Sequence, residues 1–130
     1  MPNATGLFVV TITPQSEDKA EGSTLGRLSI DKQYRGDLEA TGTGEMLTAM
    51  TEVQGSGVYV AVERVTGTIR GRSGSFVMRH SGTMNRGVQQ LSITIVPDSG
   101  TGQLAGMTGQ MAISVGGDGK HSYDFEYTLP

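Results

Sequence analysis

Residues 58–84 read VYVAVERVTGTIRGRSGSFVMRHSGTM. Two runs rich in β-branched and apolar residues, Val58–Ile69 and Ser75–Met84, flank a short glycine-bounded stretch. Both runs alternate with period 2, the mark of strands with one buried face. With Arg72 and Ser73 as a two-residue loop between Gly71 and Gly74, the runs form a hairpin. That register sets Ile69 against Phe76, Gly67 against Met78, Val65 against His80, Glu63 against Gly82 and Ala61 against Met84. Between Glu63 and Ser81 the opposite face carries Arg64, Thr66, Thr68, Arg70, Ser75, Arg79 and Ser81, and is polar except for Val77. The first face is therefore the interior, and it holds two misfits, Glu63 and His80. They are diagonal neighbours, close enough to touch.

The pattern extends in both directions from this hairpin. Leu7–Thr13, Leu25–Tyr34, Gly36–Met50, Val88–Val96, Met111–Val115 and Tyr123–Leu129 read as further strands, with a short one at Gln103–Gly106. Pro14–Gly22 is polar and charged and reads as a loop. On Leu25–Tyr34 the apolar face carries Leu28, Ile30 and Tyr34, and Lys32 interrupts it. A lysine there is expected to snorkel to a rim. No segment has the period of an amphipathic helix. Twenty glycines, against the roughly nine expected for this length, punctuate the strands and let them bend. The expected fold is all-β: a single domain over residues 1–130, an eight-stranded antiparallel barrel that removes exposed sheet edges. A two-sheet sandwich is the rival arrangement.

Composition narrows the function. The 130 residues suit one domain, and the absence of cysteine excludes disulfides and thiolate metal sites. No signal peptide or membrane-length apolar run is visible, so a cytoplasmic protein without membrane partners is expected. A net charge of −3 gives no reason to expect nucleic-acid binding. No metal-ligand spacing, nucleophile elbow or phosphate loop is present, and no cofactor is expected. The stretch GTGQLAG at 100–106 lacks the lysine and helix that a phosphate loop requires.

The strings ERVTGTIRGRSGSFVMRHSGT (63–83), VPDSGTGQLAGMTG (96–109) and GDLEATGTGEML (36–47) resemble a small bacterial family of unassigned function. That family is similar in architecture to the allene oxide cyclase barrel. The resemblance covers nearly the whole chain and implies an eight-stranded barrel with a lumen, commonly assembled into oligomers. Relatives often carry tryptophan where this chain has Ile93.

Three functions follow as expectations. The first is a barrel that binds a small apolar organic molecule and isomerises or cyclises it. Glu63 would be base or steering anion, His80 would share its proton, and Tyr59 would be a second donor. Phe76, Met78 and Met84 would shape the pocket wall. The second is a non-catalytic carrier or sensor with the same cavity. The third is a structural protein with a filled core. Val58, Val60 and Val62 face away from Tyr59, Ala61 and Glu63, so both faces of this strand are largely apolar. A second copy covering the outer face is expected, a dimer in the simplest case.

Overall fold

In the computed structural model, which describes residues 2–130, the alternating runs become eight strands. They are β1 (Asn3–Ala20), β2 (Ser23–Gly36), β3 (Leu38–Thr51), β4 (Gly57–Ile69), β5 (Arg72–Asn85), β6 (Val88–Ile95), β7 (Thr108–Val115) and β8 (His121–Thr128). Each pairs antiparallel with the next, and β8 returns to β1, closing an up-and-down barrel. No described helix is long and apolar enough to cross a membrane.

The β4–β5 hairpin differs from the expected register. Its loop is Arg70–Gly71, with Ile69 opposite Arg72. Both loop residues have positive φ, 46° and 82°, as a type I′ turn requires. This turn follows the right-handed twist of the strands. The β5–β6 hairpin repeats the device at Arg86–Gly87, with φ of 49° and 91°. The shift moves each residue of β4 by an even number of places along β5. Every side chain keeps its face, but the partners change. Glu63 lies opposite Met78, His80 opposite Ala61, and Gly82 opposite Tyr59.

Two elements depart from the reading of the sequence. Residues 14–20, expected as loop, continue β1 and pair with β2 after a register break between Pro14 and Ser16. Proline lacks the amide N–H of a regular ladder and is tolerated at such a bulge. Residues 11–20 are all exposed, so this hairpin arm has no buried face and no alternation to betray it. The segment expected as a strand at Gln103–Gly106 instead contains a one-turn 3₁₀ helix, Gly102–Leu104, which buries Leu104. Its connection completes hydrogen bonds where β6 has ended. The Thr101 N–H donates to Ser75 O (2.8 Å) and the Val96 N–H to Val77 O (2.8 Å). The Ser73 N–H donates to Gln103 Oε1 (2.8 Å).

The interior is packed at one end and open at the other. Leu38, Val65, Ile69, Phe76, Phe125 and Tyr127 fill the packed end, and Leu104 and Met107 close it. Phe76 stacks on Phe125 with ring centroids 5.6 Å apart. Tyr123 ties β8 to the β2–β3 corner: its hydroxyl accepts from the Leu38 N–H (2.9 Å) and donates to Arg35 O (3.0 Å). Toward the other end Met46, Thr48, Tyr59 and Met84 are only half-buried.

Candidate functional site

The interior face of three strands brings four polar side chains together at mid-barrel. β4 supplies Glu63, β5 supplies His80, and β2 supplies Lys32 and Tyr34. Glu63 Oε1 lies 2.8 Å from His80 Nε2 and 3.1 Å from Lys32 Nζ. Glu63 Oε2 accepts from the Tyr34 hydroxyl at 2.6 Å. Glu63 is wholly buried, and Lys32 and His80 nearly so. Glu63 and His80 meet across the diagonal, as the alternation implied. Lys32 does not reach a rim. It points into the barrel, because the carboxylate compensates its charge and the Phe8 ring lies 5.0 Å beneath it.

Backbone space makes this cluster possible. Gly42 on β3 lies opposite Lys32 on one side and Val65 on the other. A Cβ at Gly42 would come within 2.0 Å of Glu63 Oε2. The room beside the carboxylate therefore comes from Gly42 rather than from Gly82, the expected neighbour.

Electrostatics fix the protonation of the carboxylate. Burial pushes the Glu63 carboxyl up, but the His80 hydrogen bond, the Lys32 charge and the Tyr34 hydroxyl outweigh it. The group is held below the ordinary carboxylate range. An ionised carboxylate only accepts, so His80 Nε2 carries the proton of their shared bond. Burial and the Glu63 charge push the Tyr34 phenol far up, so it stays a donor. No buried side-chain polar atom among the described residues lacks a partner.

Tyr59 stands apart from the cluster. It lines a cavity of about 310 Å³ at the open end, together with Met46, Thr48, Met84, Leu91 and Ile113. Its ring lies across Gly82, where a Cβ would sit 2.3 Å from Cε1. Burial raises its phenol pKa, keeping the hydroxyl protonated. Of the three expected wall residues, Met84 lines this cavity. Phe76 and Met78 are instead sealed in the packed core, at 1% and 0% exposure. The cause is the filled end of the barrel, which leaves no lumen beside them.

Lys32 and Tyr34 are the site residues that the sequence reading missed. The signal was present: a cation on an otherwise apolar face, two residues from a tyrosine, in a chain with a second inward charge at Glu63. Met46, Thr48, Leu91 and Ile113 had no such signal, because an open barrel end looks locally like any strand end.

A family profile described as "Protein of unknown function (DUF3224)" matches residues 4–127. A crystal structure of a DUF3224 protein of unknown function from Shewanella oneidensis MR-1 is 46% identical. The match covers 100% of this chain and 98% of that one, with a TM-score of 0.93. No curated protein matches.

Proposed function

The chain belongs to the DUF3224 family, whose function is unassigned, and from that premise we propose that it is a small-molecule-binding barrel, a carrier or sensor of an apolar organic molecule. The observation that carries this reading is the open-end cavity of about 310 Å³. Its size is at the lower end of ligand sites, roughly 300–1,000 Å³. Methionines supply a soft wall that adapts to ligand shape. Leu91 and Ile113 add apolar surface, and the Tyr59 and Thr48 hydroxyls offer polar anchors. The buried cluster acts as the floor support of this site: a satisfied polar knot that fixes β2, β4 and β5 in register below it.

The isomerase reading has one observation in its favour, the Glu63–His80 contact of 2.8 Å. The carboxylate is a weak base in this setting. Both of its oxygens are engaged, its pKa is depressed, and it does not line the cavity. Gly82, in the cavity wall, is two residues from His80 along β5, a rise of roughly 7 Å. Carriage therefore accounts for the geometry better than proton transfer.

Methionine methyl groups provide the test. Met46, Met50 and Met84 line the cavity, whereas Met78 and Met107 lie in the packed core. Titration of ¹³C-methyl-labelled protein with naphthalene is expected to shift the first three resonances saturably and leave the other two in place. Shifts confined to Met78 and Met107, or no saturable shift at all, would refute the assignment of the site.

A further inference from the structure

The barrel is not equally closed around its circumference. β6 and β7 pair at a single position, Thr94 with Gln110. Their other edges are fully paired, β6 with β5 over Val88–Ile95 and β7 with β8 over Thr108–Val115. Beyond that one bridge no further pair joins the two strands on the way to the open end. Residues 88–93 and 111–115 therefore face each other across a seam without ladder partners on that side. In a strand, alternate residues direct N–H and C=O to opposite edges, so both walls present free backbone donors and acceptors. Such an edge is a template for another strand.

The seam is also a cavity, of about 380 Å³, and its two sides differ chemically. Leu91, Ile93, Met111 and Ile113 form the inner, apolar floor, since they share the faces of Gly82, His80, Phe125 and Tyr123. Ser92, Gln110, Ala112, Asp124 and Glu126 line its outer side. Asp124 accepts a hydrogen bond from Asn3 (2.6 Å), and neither acid has a cationic partner among the described residues. Arg79 bonds Thr94 Oγ1 (3.3 Å) at the closed end of the seam.

We propose that this seam docks an extended peptide segment of a partner protein, apolar on its inward face and basic on its outward face. The backbone of the guest completes the ladder between β6 and β7. Its inward side chains rest on Leu91, Met111 and Ile113, and its lysines or arginines meet Asp124 and Glu126. The seam and the ligand cavity share Leu91 and Ile113, but the peptide site stands on the unpaired edges and does not depend on a ligand being bound.

The test uses the intact protein and an end-blocked heptapeptide of alternating lysine and valine. Saturable binding is expected, with the amide resonances of Gln90–Ser92 and Ala112–Ser114 perturbed. Replacing the peptide's lysines by glutamate is expected to weaken binding at least about tenfold, because like charges then face each other. The double variant Asp124→Asn, Glu126→Gln is expected to weaken the lysine peptide to a similar degree without altering the fold seen by circular dichroism. Methylating the valine amide nitrogens is expected to abolish binding, since ladder bonds are lost. Equal affinity for lysine and glutamate peptides overturns the proposal, as does undiminished binding of the methylated peptide. Absence of saturable binding overturns it too. So does appearance of the same amide changes on concentrating the protein alone, which would make a second copy the occupant.

Discussion

Glu63 concentrates the energetics of the interior in one side chain. A carboxylate taken fully out of water is tolerable only with its charge compensated and its lone pairs occupied. Lys32, His80 and Tyr34 do both, and Gly42 leaves them the volume. Glu63→Gln keeps the shape, removes the charge and leaves the Lys32 ammonium buried without its anion. The expected loss at neutral pH is about 3–5 kcal/mol, the usual consequence of breaking a buried pair from one side. Because the folded-state pKa of Glu63 is depressed below its ordinary 4.5, its contribution is present above that pH and fades as pH falls further. The gap between wild type and Glu63→Gln in urea unfolding should therefore narrow below pH 4.5. Gly42→Ala should destabilise the protein for a different reason, by driving Oε2 away from the Tyr34 hydroxyl. Equal stability of wild type and both variants at pH 7 would show that the cluster contributes nothing.

At the scale of elements, the short connection after β6 replaces a strand. β6 ends at Ile95, while β5 continues back to Arg72. The chain from Val96 to Gln103 bonds the free edge of β5 and drops Leu104 into the packed end at 1% exposure. Gly74 is needed where this connection crosses, since a Cβ there would lie 2.1 Å from Thr101 O. Leu104→Ala empties that position and is expected to cost about 2–5 kcal/mol. The measurement is again urea unfolding, and it should be accompanied by faster exchange of the Ser73 and Thr101 amides. A change below about 0.5 kcal/mol, the range of ordinary surface substitutions, would mean that the segment is not part of the core.

For the whole molecule, the outer surface carries an apolar band across β2, β3 and β4. Leu25, Ala49 and Val58 lie in one row across the strands, and Leu47 and Val60 in the next, with Val62 beyond. These five larger side chains are between 40% and 56% exposed. We propose that a second copy covers this band. Its rim carries both signs, Arg27 paired with Glu45 at 2.7 Å on one side and Arg64 and Arg79 on the other. A two-fold interface needs such a self-complementary surface. Light scattering at micromolar concentration is expected to give the mass of a dimer, and Val60→Lys that of a monomer with an unchanged circular dichroism spectrum. A monomeric wild type would remove the proposal. Assembly through this band, which lies on β2, β3 and β4, leaves the β6–β7 seam free.

Much of this architecture could be read from residues alone. Strand alternation put Glu63 and His80 on one interior face, and glycine spacing pointed to bent, closed strands. Face assignment survives errors in register by even steps, so the Glu63–His80 diagonal held although the turn is Arg70–Gly71 and not Arg72–Ser73. What the chain determined locally was the period, the face and the turn chemistry, because these depend on neighbours in sequence. Tertiary structure alone decided the rest. Lys32 and Tyr34 reach Glu63 across 31 and 29 residues of chain. Barrel closure decides which inward charges meet, and whether a lysine finds an anion or a rim. The packed end that buries Phe76 and Met78, the open end that exposes Tyr59, and the seam beside β6 all follow from how far each strand extends around the circumference. No local preference encodes that extent, because it is set by the balance of core volume and ladder pairing over the whole closed sheet.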